Sequence, residues 1–476
     1  MNAVEALAAL AECLGPRGLI TDPADLAPYA EDWRRLYRGR PPAVLRPGST
    51  AELAAAVRIC AEAGLGIVPQ GGNTSMVGGA TPSARGDEVV LTLSRLNRVR
   101  AIDPVDLTLT IEAGATVKAA QDAAAEAGCQ LPLSIASEGS ATVGGVLSTN
   151  AGGNMTLRFG NARDLVLGLE VVLADGRVWE GLRRLRKDNT GYCLRQIFLG
   201  AEGTLGIITA AVLKLVPAPR ERLVAFASLP SPEAALALLT RCQRHDPSAL
   251  LAFEYMGGDG MDLVLRHIPD TQLPIAAAAH YVLAEFASPR PAAGLAEGVE
   301  EMLAQAMAAG EVLDATLAAS EAQARAMWRL REEHAEAQKR AGASIKNDVS
   351  VPVSLVPRFL RDAPAACAAL MPGIRVVAFG HLGDGNIHFN LRPPEGMADE
   401  DFLAQDHAVM DTVLGVVRRL GGSFSAEHGV GQLKTYLMPE WRGGVELDLM
   451  RALKTAFDPR GLLNPGKVLP RAHPNG

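Results

Sequence analysis

Cysteine is scarce in this chain. The six residues, Cys13, Cys60, Cys129, Cys193, Cys242 and Cys367, stand far apart, and no two form a CxxC pair. That spacing excludes a zinc knuckle and a disulfide framework, and it fits a reducing, cytoplasmic location. No uninterrupted apolar run reaches the roughly 18 residues that a membrane span needs. The N-terminal stretch MNAVEALAALAECLG is broken by Glu5 and Glu12 and has no basic leader, so it reads as an amphipathic helix rather than a signal peptide. A basic excess is also missing: the formal net charge is −7, which argues against a nucleic-acid partner. There are no internal repeats and no low-complexity tract. Neither GxGxxG nor a Walker A loop occurs.

What remains is a 476-residue chain with 48% hydrophobic and 21% charged residues, a globular profile too long for one ordinary core. Its texture changes along its length. From about Pro41 to Pro217, glycine and β-branched residues alternate strand and helix patterns. Strands are expected at Ala43–Arg46, Gly66–Pro69, Val89–Leu93, Thr108–Ile111 and Leu169–Leu173, and Ser49 with Glu52 has the spacing of a helix cap. From about Arg220 to Leu420, alanine-rich helices (231–243, 291–309, 321–340) alternate with strand candidates, and Gly310 reads as a helix stop. A last segment holds a helix near Val445–Phe457, with Leu449, Met450, Leu453 and Phe457 on one face. The domains are therefore set at 1–218, 219–420 and 421–476, and the fold class is α+β.

Three glycine-rich loops stand in the first domain. The first, Pro69 to Gly79, leaves a strand directly. The second runs from Ser137 through Gly145 and on to Gly153, and the third from Gly200 to Thr209. Glycine lets successive backbone N–H groups face one concavity and lets a ligand approach closely. One such loop is explained by a tight turn. Three in one domain are explained more economically by one long phosphate-bearing cofactor.

A second constellation lies downstream. Gly380-His381-Leu382-Gly383-Asp384-Gly385-Asn386-Ile387-His388 places two histidines on either side of a turn. Along the second strand Ile387, Phe389 and Leu391 point one way, while His388 and Asn390 point the other. Converging histidines suit zinc or manganese, and Glu427 in Ser425-Ala426-Glu427-His428-Gly429 would complete a His₂Glu set, with His428 beside it as a base. Two core histidines and a surface Glu-His pair are the plainer account. In Ile345-Lys346-Asn347-Asp348-Val349-Ser350, Lys346 shares a face with Asp348 and Ser350, so its partner is either Asp348 or a substrate carboxylate. Arg331 is either a carboxylate clamp or a solvated helix arginine.

The three loops, with Arg163–Glu170 and Leu185–Tyr192, resemble the FAD-binding domain of the vanillyl-alcohol oxidase / p-cresol methylhydroxylase (PCMH) superfamily, and within it the D-2-hydroxyglutarate and D-lactate dehydrogenase branch. The resemblance implies a PCMH-type FAD domain, a second α+β substrate domain with an antiparallel sheet, and a C-terminal helical segment that returns to the flavin. It places FAD contacts at Pro69, Gly71, Gly72, Asn73, Thr74, Gly78 and Gly79 in the first loop, and at Ser137, Glu138, Gly139, Thr142, Gly144, Gly145, Ser148, Asn150, Gly152 and Gly153 in the second. Glu202, Gly203, Gly206, Ile207 and Ile208 follow in the third, with Asn464 near the C-terminus. It also implies a divalent metal, zinc or manganese, on His381, His388 and Glu427, with His428 as proton acceptor and substrate contacts from Arg331, Lys346 and Asn390. Ser75-Met76 and Ala335 depart from the branch, which usually has Gly-Leu at the first position and Thr or Ser at the second.

The implied activity is oxidation of a small D-2-hydroxy acid, D-2-hydroxyglutarate or a related dicarboxylate such as D-malate. The electron acceptor would be an electron-transfer flavoprotein, a quinone or a cytochrome, and a homodimer is compatible with the sequence. A D-lactate or glycolate dehydrogenase is the nearest alternative; a metallohydrolase or a non-catalytic binding protein would be of another class. Some superfamily members tether FAD through a loop histidine or cysteine. Here no histidine precedes His245 and no cysteine lies in the three loops, so the flavin is expected to be non-covalent. Acid precipitation of the yellow protein should then release all flavin into the supernatant; colour retained on the washed pellet would contradict this.

Overall fold

Helix starts follow local chemistry. Ser49 Oγ accepts the Glu52 N–H at 3.1 Å, and the Glu52 carboxylate in turn accepts the Gly48 N–H at 2.7 Å. The helix Thr50–Ala63 then runs until Gly64, whose φ of +70° ends it. The chain turns at once into the strand Gly66–Gln70, which pairs in parallel with Glu88–Thr92. The computed structural model describes residues 1–290 and 294–470. Backbone contacts divide the chain into two units: 1–153, 160–218 and 427–476 form the first, and 154–159 with 219–426 form the second. The division near the C-terminus thus falls after Ala426 rather than after Leu420.

The first unit holds a four-stranded sheet in the order Leu19–Ile20, Val44–Leu45, Glu88–Thr92, Gly66–Gln70. It also holds a five-stranded antiparallel sheet in the order Val99–Asp103, Thr108–Glu112, Ile207–Lys214, Val166–Val172, Val178–Gly181. Central strands of both sheets are mostly apolar, with Val89, Val90, Leu91, Leu169 and Val171 fully buried, and the buried Glu170 bonds to Arg100 and Thr209. The C-terminal segment belongs to this unit: Leu463 bridges Ile67 in parallel, and the two exchange backbone hydrogen bonds through Asn464 N–H and Leu462 C=O at 2.7 Å each. In the helix Val445–Phe457, Leu447 is buried while Leu449 and Leu453 are exposed, so the burial stripe does not follow the face expected from the apolar spacing.

The second unit is built on a seven-stranded sheet in the order Asp314–Leu317, Glu221–Leu229, His280–Ser288, Leu250–Gly257, Arg375–His381, Asn386–Arg392, Asp348–Ser350. Every neighbouring pair is antiparallel. The helices Pro232–His245 and Leu295–Ala308 match expected segments; positions 291–293, where the second was expected to begin, lie outside the described residues. Gly310, with φ +71°, follows the second helix.

The expected single helix over 321–340 is instead two, Glu321–Glu332 and His334–Arg340, broken at Glu333. His334 accounts for the break. It is 1% exposed, its ring lies 4.8 Å from Phe379, and its Nδ1 is 3.2 Å from the Arg331 carbonyl, while its Nε2 is buried with no partner among the described residues. Burial, and then the neighbouring Arg331 charge, pushes the imidazole down to about 3. The unfolded chain titrates this histidine near 6.5 and the folded chain does not, so the stability it confers is complete above about pH 6.5 and is lost as pH falls. Between pH 7.5 and 5 the loss is about 2 kcal/mol. His334→Asn, which cannot protonate, should flatten the fall in melting temperature over that interval; an unchanged slope would contradict it.

Candidate active site

The glycine loops of the first unit are locked together by their own backbones. A Cβ on Gly72 would lie 1.9 Å from the Ser140 carbonyl oxygen, and one on Gly71 would lie 2.3 Å from Thr142 Oγ1, so loops one and two abut where only hydrogen fits. A Cβ on Gly139 would meet nothing within 4 Å, so the second loop also borders open space. Thr142 Oγ1 accepts the Gly145 N–H and caps the helix Val143–Thr149, which carries Gly144 and Ser148. The Glu202 N–H donates to the Ser148 carbonyl at 2.8 Å, tying loop three to loop two.

Several polar residues of the expected FAD set also bond to the protein itself. Asn73 Nδ2 donates to the Glu31 carbonyl at 2.9 Å, Asn150 Oδ1 accepts the Arg163 N–H at 3.0 Å, and the Glu138 carboxylate accepts from Gln121 and Ser134. Ile207 and Ile208 open a central strand and are buried, and a Cβ on Gly206 would collide with Val171 and Phe198. Pro69 packs against the Gly203 position, where a Cβ would come within 2.9 Å of its ring. Thr74, Gly78, Gly79, Gly152 and Gly153 lie along the first two loops, Gly153 pressed close to the Ser134 carbonyl.

Asn464 carries the strongest sign of an absent partner. Its Nδ2 donates to the Gly79 carbonyl at 2.9 Å and to the Glu202 carbonyl at 2.7 Å, joining loops one and three. Its Oδ1 is buried and has no partner among the described residues. A buried acceptor left unmade costs about 1–3 kcal/mol, so a donor from a ligand is called for. A flavin with its ribityl hydroxyls and ring N–H fits this position, and the residues present fit FAD.

Glu202 also has a role within the protein. Its carboxylate accepts the N–H groups of Val430 and Gly431 at 2.7 and 2.9 Å. Burial raises its pKa above the ordinary carboxyl value, against the opposing effect of those two bonds and of the Lys434 charge. Loop three thus clamps the segment that carries His428. Within that segment His428 Nε2 stands 3.9 Å from Glu427 Oε1, and both side chains are partly exposed.

In the second unit, alternation puts Phe379 and His381 on one sheet face. The register sets Glu254 opposite His381, and His388 opposite both Phe379 and Asp348. Ile387, Phe389 and Leu391 are fully buried on the other face. The His381 and His388 ring centroids are 6.0 Å apart. His388 Nδ1 lies 3.7 Å from Asp348 Oδ1, so Asp348, read from sequence only as a partner for Lys346, stands with His388 among the candidate cation ligands, a group that does not include His381. The strand begins at Asp348, leaving half-buried Lys346 just upstream of it. The Asn390 amide is engaged at both ends, Oδ1 accepting the Asn347 N–H at 3.2 Å and Nδ2 donating to Gln338 at 3.0 Å.

Arg331 is not a solvated helix arginine: it is 8% exposed. Its Nε donates to Glu254 Oε2 at 2.7 Å, and its guanidinium lies 5.0 Å over the Phe379 ring. Its two terminal nitrogens make no hydrogen bond among the described residues, leaving the fork available to an anion. Glu254 also accepts from His381 Nδ1 at 2.7 Å. Burial opposes ionisation of this carboxyl, but His381 and Arg331 outweigh it and hold it down to about 2. Sequence reasoning passed over Glu254. The available signal was a lone carboxylate in the otherwise apolar strand Leu250-Leu251-Ala252-Phe253-Glu254-Tyr255-Met256.

Comparison with known proteins defines the class first. Residues 41–181 match a family of FAD binding domains, and residues 218–468 match the C-terminal domain of FAD linked oxidases. The chain belongs to the FAD-linked oxidase family and is an FAD-dependent dehydrogenase. More particularly, it is 40% identical over 465 residues to D-2-hydroxyglutarate dehydrogenase, mitochondrial, of Bos taurus, covering 98% of this chain and 83% of the relative. It is 39% identical over 458 residues to D-2-hydroxyglutarate dehydrogenase of Xanthomonas citri pv. viticola, covering 94% of each. The fold is that of p-cresol methylhydroxylase with substrate bound, at a TM-score of 0.75, 17% identity, and 98% and 96% coverage of the two chains. The PCMH-type architecture expected from the loops is thereby confirmed. Among the described residues no helix is long and apolar enough to cross a membrane.

The loop contacts make a paired prediction. Gly72→Ala should force loops one and two apart and yield protein with little bound flavin. Gly415→Ala, on the helix Asp406–Arg419 of the second unit and outside the glycine loops, meets only the far end of Arg419 and should purify yellow with a normal melting temperature. Equal flavin content in the two variants, measured by absorbance, would contradict the role given to the Gly72 contact.

Proposed function

We propose that this dehydrogenase oxidises a D-2-hydroxy dicarboxylate, D-2-hydroxyglutarate or a close relative such as D-malate, to the 2-oxo acid. The observation that carries this reading is Arg331, a buried guanidinium whose terminal nitrogens have no hydrogen-bond partner among the described residues. Such a fork is built for a carboxylate, and the relatives named D-2-hydroxyglutarate dehydrogenase supply the substrate class.

Arg331 holds one carboxylate and Lys346 contributes charge for the second, which fixes the orientation of the carbon that is oxidised. His428 takes the proton of the 2-hydroxyl. FAD, held by the glycine loops and Asn464, would supply the hydride acceptor for C2. In the second unit His381 and His388, with Asp348 as an additional carboxylate, would offer donors to a divalent cation. Imidazole and carboxylate donors suit zinc or manganese, which would supply Lewis-acid polarisation of the hydroxyl. The electron acceptor of the reaction would be an electron-transfer flavoprotein, a quinone or a cytochrome. A cytoplasmic location is supported by the scattered cysteines and the bacterial relative.

Anaerobic mixing with D-2-hydroxyglutarate should bleach the flavin, faster than with D-malate and far faster than with D-lactate. His428→Ala should slow bleaching about 10²–10⁴-fold at saturating substrate. Arg331→Ala should raise KM by the equivalent of about 2–5 kcal/mol. A wide preference for D-lactate would overturn the dicarboxylate reading and point to Ala335; wild-type bleaching by His428→Ala would overturn the assigned base.

A further inference from the structure

We propose that Glu254 is a positioning residue for this reaction, a single buried carboxylate that aims the Arg331 fork at the substrate anion and holds His381 as the tautomer able to bind a cation through Nε2. The inference rests on the roles given above to Arg331 and His381.

The geometry assigns each carboxylate oxygen one task. Oε2 takes Arg331 at Nε, at 2.7 Å, and Oε1 takes His381 at Nδ1, at 2.7 Å. Because the bond to Arg331 is made through Nε, both terminal nitrogens are directed onward instead of being spent on the protein. Because a carboxylate only accepts, Nδ1 carries a proton toward Glu254, and in the neutral imidazole this leaves the lone pair on Nε2. The two partners reach Glu254 from different elements, Arg331 from the helix Glu321–Glu332 and His381 from the neighbouring strand, directly opposite in register. Glu254 is 0% exposed, and the Phe379 ring covers the guanidinium on one side, so the arrangement is not loosened by water.

Charge balance alone would also place a carboxylate here, and Glu254→Gln separates the two accounts. Glutamine has nearly the same shape but one acceptor, while Arg331 Nε–H and His381 Nδ1–H are both donors. If the amide oxygen takes Arg331, the amide N–H₂ faces His381 and drives the proton to Nε2. If it takes His381, Arg331 loses its anchor. The flavin-loaded Glu254→Gln protein should keep its visible spectrum and fold. Zinc affinity, read by titration calorimetry on that protein, should fall about 10–100-fold. KM for D-2-hydroxyglutarate should rise about tenfold or more, whereas a merely structural defect lowers the active fraction, and so kcat, and leaves KM alone.

Wild-type zinc affinity and KM in Glu254→Gln, with both lost in His381→Ala and Arg331→Ala respectively, would overturn the role of Glu254 and leave the functional reading standing. If His381→Ala and Arg331→Ala are themselves unchanged, the functional reading fails, and the inference falls with it. Should Glu254→Gln not accumulate as folded protein, Glu254→Asp takes its place. It keeps the buried charge but falls one methylene short of both partners, and wild-type values for both readouts would again overturn the proposal.

Discussion

A guanidinium removed from water needs a counter-charge, and the organisation of the second unit follows from how Arg331 obtains one. Glu254 sits opposite His381 in the sheet register and neutralises the arginine through Nε only. Removing one partner of a buried pair typically costs about 3–5 kcal/mol, while the intact pair adds little net stability. A pair of this kind is better explained by what it leaves over: two terminal nitrogens with donors to give, and a histidine fixed in orientation. The break at Glu333 belongs to the same arrangement, since His334 turns back to the Arg331 carbonyl and packs on the Phe379 ring that covers the guanidinium.

In the first unit the comparable constraint is the close approach of backbone to backbone. Loops one and two meet where Gly71 and Gly72 leave no room for a side chain, and loops two and three are joined through Glu202 N–H and Ser148. The C-terminal segment closes the set. Asn464 spans loops one and three, Lys454 Nζ donates to the Thr204 and Leu463 carbonyls, and the Glu202 carboxylate holds Val430 and Gly431. The residues that shape a flavin cradle and those that carry His428 are therefore one hydrogen-bonded structure within this unit.

Much of this was legible in the sequence because the signals were local. The Ser49-Glu52 spacing, the glycine loops after strands, and the alternation of Ile387, Phe389 and Leu391 each depend on a few neighbouring residues. The PCMH-type architecture and the FAD-dependent activity followed from those loops. What escaped depends on long-range pairing. Glu254 and Arg331 are brought together only by the fold, so periodicity could not show that Arg331 is buried or that Glu254 balances it. The helix over 321–340 looked continuous because a histidine does not break a helix by propensity; its packing on Phe379 does. The polar loop residues Asn73, Asn150 and Glu138 also bond within the protein, to Glu31, Arg163, Gln121 and Ser134, partners that the sequence pattern did not name.

The central claim is that Arg331 is held ready for a carboxylate before any ligand arrives. The direct measurement is calorimetric titration of the oxidised flavoprotein with 2-oxoglutarate, which cannot reduce the flavin, in the wild-type and Arg331→Met proteins. The account predicts clear binding to the wild type and binding weaker by about 30-fold or more in the variant, the equivalent of about 2 kcal/mol. Equal affinity in the two proteins would show that the buried guanidinium does not receive the substrate anion.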